Sequence, residues 1–117
     1  MTTLLARMDR RGGGFLALAL LLLVTGLSLI PKAQLSPMVG AYDKVEHLIA
    51  YAAVALPIAL LRPRGWPWML TGVAAWSAGI ELVQPLVGRS ADLRDFAANL
   101  AGIALGTACA AVLRRLA

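Results

Sequence analysis

The sequence predicts an all-α membrane protein: a four-transmembrane-helix bundle with both termini cytoplasmic. Three observations carry that expectation. The chain is 60% hydrophobic, has a mean hydropathy of +0.77 and is only 15% charged, too apolar for a core wrapped in a polar surface. Its apolar residues fall into four runs, separated by proline, glycine and charge. Its basic residues crowd every second boundary between those runs. At 117 residues, one domain accounts for the whole of 1–117.

The first helix is expected over residues 14–30, around a Leu-rich centre at 16–24, and it stops at Pro31-Lys32. The second covers 45–61 and is closed by Arg62-Pro63-Arg64-Gly65. Pro57 inside it removes a hydrogen bond to Ala53 and predicts a kink. The third runs over 66–87, opens with Pro67 in its first turn, where a missing N–H is tolerated, and ends around Pro85 and Gly88. The fourth covers 96–113 and is closed by Arg114-Arg115. Each is about the length that crosses a hydrocarbon core of roughly 30 Å. Lipid offers no water to backbone polar groups, so helices are the only spans the composition admits.

Orientation follows from the basic residues. Arg7, Arg10 and Arg11 precede the first run, Arg62 and Arg64 join the second to the third, and Arg114 and Arg115 follow the fourth. Together they are seven of the eleven basic residues. Lys32, Lys44, Arg89 and Arg94 lie on the other side, mixed with Asp43, Glu46, Asp92 and Asp95. The positive-inside rule then places both termini in the cytoplasm. Trp66 and Trp68 fit an interfacial aromatic belt. A cleaved leader is not expected, because Ile30-Pro31-Lys32-Ala33-Gln34 contains no Ala-x-Ala site.

The net charge of +5 and isoelectric point near 10.4 do not imply nucleic acid, since the basic residues form no stripe with interleaved aromatics. The single cysteine, Cys109, excludes an internal disulfide and a multi-cysteine metal site. One histidine with carboxylates is too thin a set for zinc. Neither metal nor cofactor is expected.

Polar residues at the edges of apolar runs carry the functional signal, because ionisable groups in spans are costly and face a bundle interior or a wet cavity. The assigned orientation puts three such clusters on the outer side. Asp43, His47 and Tyr51 fall at i, i+4 and i+8, one stripe on the second helix. Glu81 and Gln84 share a face of the third. Asp92, Asp95, Asn99, Gly102 and Gly106 form a stripe entering the fourth. Capping explains part of this, since Asp43, Asp92 and Asp95 suit helix N-termini. Gly102 and Gly106 form a Gly-x-x-x-Gly face suited to close helix packing. His47, Glu81 and Asn99 are not explained by capping. Histidine is the side chain suited to acid or base work near neutral pH, and Asp43 one turn away would orient His47. Ser90, the one hydroxyl nearby, lies in no nucleophile motif.

The run Asp43-Lys44-Val45-Glu46-His47-Leu48-Ile49-Ala50-Tyr51, then Glu81-Leu82-Val83-Gln84, then Arg89 through Asp95 and Asn99 to Gly102 and Gly106 resembles the VanZ-like family over about residues 32–113. Residues matching its pattern are Asp43, Lys44, His47, Tyr51, Glu81, Gln84, Arg89, Asp95, Asn99, Gly102 and Gly106. The resemblance implies a multi-pass protein of the bacterial cytoplasmic (inner) membrane, in a family whose founding member is associated with teicoplanin resistance. Some members bear the name of a phosphotransbutyrylase, but this chain has no Gly-rich phosphate loop.

Three functions remain open on the sequence. The site binds or modifies an envelope lipid or lipid-linked cell-wall precursor, with Lys44 and Arg89 on a phosphate and Tyr51, Gln84, Asp95 and Asn99 reading the polar head. Alternatively, His47 acts as general acid/base with Asp43 and Glu81 as its carboxylates. Or the polar groups only hold four helices, or a partner chain, together. A homo-oligomer is among the assemblies the sequence allows.

Overall fold

The structure is a computed structural model that describes residues 10–29, 43–87 and 93–116. Among these residues it contains four α-helices, one 3-10 turn and no strand. Helix α1 is Arg10–Ser28, α2 is Asp43–Leu61, α3 is Trp66–Val83, the 3-10 turn is Gln84–Val87, and α4 is Leu93–Leu116.

The boundaries follow from local chemistry. Helix α2 starts at Asp43, two residues before the expected position. It ends where Arg62 turns left-handed, φ 48°, and its N–H bonds the Ile58 carbonyl at 2.9 Å. Such a conformation costs a non-glycine residue about 1–2 kcal/mol. The Arg62 guanidinium lies 4.8 Å from the centre of the Trp66 ring, a cation–π contact of about 0.5–1 kcal/mol that offsets part of that cost. Gly65, at φ 75°, completes the reversal and precedes α3, whose first turn carries Pro67 as expected.

Helix α3 stops at Val83, short of the expected 87. Pro85 has no N–H to return to the Glu81 carbonyl, and the chain tightens into a 3-10 turn over Gln84–Val87. Helix α4 is longer than expected at both ends. It begins three residues early, so Asp95 lies within its first turn rather than ahead of it. It ends past Arg114 and Arg115, whose charges suit the negative end of the dipole.

The helices alternate in direction. Gly13 of α1 meets Pro57 and Leu61 of α2, whereas Thr25 and Ser28 of α1 bond to Trp76 of α3 and to Gln84 just beyond it. Leu48 and Ala52 of α2 lie against Gly102 and Gly106 of α4, and Arg114 Nη1 donates to the Leu60 carbonyl at 2.5 Å. Helices α1 and α3 therefore run parallel, as do α2 and α4, and each pair opposes the other. One end of the bundle gathers Ser28, His47, Glu81, Gln84, Asp95 and Asn99. Arg62, Arg64, Arg114 and Arg115 sit at the other.

The tightest packing joins α2 to α4. A Cβ on Gly102 would collide with the Leu48 carbonyl oxygen, and one on Gly106 with that of Ala52. The Gly-x-x-x-Gly face is thus a backbone-to-backbone contact, and its partner is α2. Around it, Tyr51, Val54, Ala55, Ile58, Val73, Ile103 and Ala17 form the apolar core.

Polarity is inverted relative to a soluble domain. The outside carries Phe15, Leu22, Trp68, Leu82, Leu93, Val112 and Leu116, while His47, Ser77, Glu81, Gln84, Asp95 and Asn99 are buried. Leu93–Leu116 is long and apolar enough to cross a membrane. The apolar stretches Gly12–Ser28 and Val45–Leu61 are shorter, and α3 is diluted by Trp66, Pro67, Trp68 and Glu81. Four spans were expected, the shorter ones only marginally long enough; among the described residues one helix meets the requirement by length and composition.

Candidate functional site: a buried polar cluster at one end of the bundle

Three helix ends build the cluster. His47 comes from the first turns of α2, Glu81 from the last turn of α3, and Asp95 and Asn99 from the first turns of α4. The 4-residue spacing of Asp95 and Asn99 puts both on one face, and the parallel run of α2 and α4 sets that face against His47.

The shortest contact joins His47 Nδ1 and Asn99 Oδ1 at 2.6 Å. An amide oxygen only accepts, so the imidazole donates through Nδ1–H. Glu81 Oε1 stands 3.9 Å from the same nitrogen. One ring nitrogen of His47 and one carboxylate oxygen each from Glu81 and Asp95 lie within 4.8 Å of one another, all three residues buried. Asn99 is 0% exposed and Tyr51 1%. Asn99 Nδ2, the Tyr51 hydroxyl and Gln84 Oε1 are buried with no hydrogen-bond partner among the described residues. Buried polar groups are ordinarily paired, which sets these three atoms apart at this end of the bundle. The Glu81 carboxylate is within electrostatic range of the Tyr51 hydroxyl.

Sequence reasoning placed His47, Tyr51, Glu81, Gln84, Asp95 and Asn99 at the site, and the structure brings all six to one end of the bundle, buried. Asp95 faces the cluster from within the helix, so capping does not account for it. Gln84 has a part that spacing did not suggest: its Nε2 donates to the Ser28 carbonyl at 3.1 Å and satisfies the end of α1. Asn99, which helical spacing on α2 could not suggest, hydrogen-bonds His47. Asp43 and Lys44 open α2, with side chains outside the described residues, as is all of Arg89. Glu46 is exposed and takes no part.

Ser28 and Ser77 were missed. Ser77, 0% exposed, donates to the Ala74 carbonyl at 2.7 Å and is satisfied within its own helix. Thr25 and Trp76 were missed as well: Trp76 Nε1 donates to Thr25 Oγ1 at 2.8 Å. That pair lines an open apolar groove of about 530 Å³ between α1 and α3, together with Gly72, Gly79, Ile80 and Val83. The available signal was Thr25 and Ser28 standing three apart in an otherwise aliphatic run.

An apolar exterior surrounds a buried histidine–carboxylate–amide cluster in a helical bundle, one helix of which is long and apolar enough to cross a membrane. The chain belongs to the VanZ/LLP1 family, whose family model matches residues 15–114. No curated protein and no solved structure matches it.

Proposed function

We propose that this protein is a multi-pass protein of the bacterial cytoplasmic membrane that holds an envelope lipid or lipid-linked cell-wall precursor by its polar head, at a site facing outward. One observation carries the reading: the His47–Asn99 hydrogen bond, flanked by Glu81 and Asp95, in a bundle whose surface is aliphatic. Placing these groups in a hydrocarbon setting costs about 3 kcal/mol per charge, and that cost asks for a polar ligand. The Tyr51 hydroxyl, Asn99 Nδ2 and Gln84 Oε1 supply the uncommitted donors and acceptors. Lys44 and Arg89 are assigned to the phosphate, where charge-assisted hydrogen bonds are strongest. The groove bounded by Ile80 and Val83 opens one residue away from Glu81 and Gln84 along the chain and suits an acyl chain.

The test is lipid retention. Protein extracted in native lipid discs is compared by mass spectrometry with Tyr51→Phe and Asn99→Ala. Losing one hydrogen bond to a charged head, about 1.5 kcal/mol, lowers retention of the specific lipid about tenfold. Wild-type lipid content in both variants, alongside lowered melting temperatures, would return these residues to a structural role. The same variants, expressed in the host, are expected to change susceptibility to teicoplanin if the founding member's association extends to this chain.

Topology has its own test. In a Cys109→Ala background, cysteines placed at Ala33 and Ser90 are expected to react with an impermeant thiol reagent from outside intact cells. Reaction only after the inner face is opened would reverse the orientation and place the site on the cytoplasmic side.

A further inference from the structure

Arginine gathers at the end of the bundle away from the polar cluster. Arg10 and Arg11 open α1, whose Gly13 lies against Pro57 and Leu61 of α2. Arg62 and Arg64 follow α2, and Arg114 and Arg115 close α4. Among the described residues no acid lies at this end, since Asp43, Glu46, Glu81 and Asp95 all belong to the other. We infer that Arg64, Arg114 and Arg115 form a binding surface for the phosphate of an acidic phospholipid in the adjoining leaflet, the inner one under the orientation proposed above. The inference rests on the membrane-embedded part of the proposed function and not on the lipid held at the polar end.

Orientation alone does not account for the composition of this end. The positive-inside rule is satisfied by lysine as well as by arginine. Yet the basic residues here are all arginines, with Arg7 of the sequence included, and both lysines, Lys32 and Lys44, fall on the other side. The two side chains differ in what they hold. An ammonium is a compact point charge, whereas a guanidinium is a planar fork that meets two phosphate oxygens at once.

The end of α2 organises these groups. Arg114 Nη1 donates to the Leu60 carbonyl at 2.5 Å, which uses one of the five N–H groups a guanidinium carries. The remaining donors of Arg114 have no acid to meet among the described residues. Holding the side chain in place beforehand lowers the ordering cost of binding. Arg62 is committed to its own turn, with Nε on the Ala59 carbonyl at 3.4 Å and its guanidinium over the Trp66 ring. Arg64 and Arg115 are exposed. Like charges gathered at one end repel one another, and an anion relieves that repulsion.

The surroundings select an amphiphile over a free anion. Leu116 follows Arg115, Val112 lies one turn before it on the same face of α4, and both are exposed. A lipid whose phosphate meets Arg115 therefore lays its first methylenes along Val112. Trp68, 79% exposed, stands near Arg64 where an indole suits the headgroup level of a bilayer. Basic groups between helix ends on the cytoplasmic side hold anionic headgroups in this way.

Full-length protein in mild detergent is titrated with phosphatidylglycerol or phosphatidylcholine, and bound lipids are counted by native mass spectrometry. Three arginines acting together are expected to favour phosphatidylglycerol about a hundredfold. Arg64→Gln/Arg115→Gln is expected to lose about thirtyfold in affinity for it. Arg64→Lys/Arg115→Lys keeps every charge and is expected to match wild type in melting temperature and in cysteine-labelling orientation. It is nonetheless expected to lose about fivefold in affinity, because the forks are gone. Both variants spare Arg114, whose bond to Leu60 serves the fold. Lys32→Gln is expected to bind as wild type does, and inorganic phosphate is expected not to displace the lipid. The arginine-dependent loss is expected unchanged in a Tyr51→Phe background, so the two ends report separately.

Equal affinity of wild type for the two lipids overturns the inference. So does a double lysine variant that binds like wild type, which reduces the arginines to a positive field. Displacement by inorganic phosphate gives the surface to a soluble anion and overturns it as well. A loss that vanishes in the Tyr51→Phe background puts the acidic lipid at the polar end, with the same result. Unchanged lipid retention in Tyr51→Phe beside an intact arginine effect fails the polar-end reading alone. A chain that stays monodisperse in buffer with neither detergent nor lipid removes the membrane reading and this inference with it.

Discussion

Gly106→Val is expected to abolish the folded bundle, and Gly102→Val to come close to doing so. At Gly106 an added Cβ meets the backbone of Ala52 at its carbonyl oxygen, carbonyl carbon and Cα; at Gly102 it meets the Leu48 carbonyl and the Tyr51 Cβ. Backbone cannot step aside as a flexible side chain can, so α4 must withdraw from α2 along its length. Overpacking a core by a methylene or so costs about 1–3 kcal/mol. Three added carbons against backbone exceed that range, and a domain holds only about 5–15 kcal/mol in all. Monodispersity on gel filtration and melting temperature in detergent read the effect. Gly72→Ala and Gly79→Ala are the controls: nothing lies within 4 Å of a Cβ at either site, and each change is expected to gain up to about 1 kcal/mol from reduced backbone entropy. A Gly106→Val protein that melts with wild type would mean α2 and α4 do not touch here.

Asn99→Ala is expected to cost about 2–4 kcal/mol of stability. It removes the acceptor from His47 Nδ1 and leaves a buried donor unsatisfied, about 1–3 kcal/mol, and it opens a cavity beneath a fully buried side chain. A double-mutant cycle with His47→Ala separates the two contributions. The pair is expected to couple by about 1–2 kcal/mol, so the double variant loses clearly less than the sum of the singles. Coupling near zero would dissolve the 2.6 Å contact as an energetic fact and leave each residue only its packing.

Most of the helical architecture was legible because helices are announced locally. Leu- and Ala-rich runs, Pro31-Lys32, Arg62-Pro63 and Arg114-Arg115 mark where four helices sit, and the alternation of short connections predicts their directions. Boundaries were less legible. Pro85 was read as the end of a helix, but the break falls two residues earlier, because a proline removes the hydrogen bond to the residue four before it and the preceding turn tightens. Asp95 was read in part as a cap, and capping is indeed what an aspartate near a helix start suggests. The early start of α4 places it inside the first turn, facing the cluster.

Candidate site residues were found by cost: an ionisable group in an aliphatic chain needs a reason, and His47, Glu81 and Asn99 stood out on that ground alone. What spacing along one helix cannot supply is a partner on another. Asp43 was assigned to orient His47 because it is one turn away, and its side chain lies outside the described residues; Asn99, 52 residues further on, is a partner that spacing along one helix could not supply. Gln84 holding Ser28, and Trp76 holding Thr25, escaped notice because serine, threonine and tryptophan are cheap enough in such a chain to raise no question.

The sequence by itself determined four helices, their alternation, the gathering of costly polar groups at one end and a close-packing glycine face, because each rests on local propensity, turn chemistry or hydropathy over a few residues. Only the tertiary structure decided which helices those glycines join and which groups meet His47. Both depend on register between α2, α3 and α4, and register is settled by the glycine contacts that let two backbones touch. With Gly102 on Leu48 and Gly106 on Ala52, the shift between α2 and α4 is set, and Asn99 and Asp95 arrive beside His47 as a consequence.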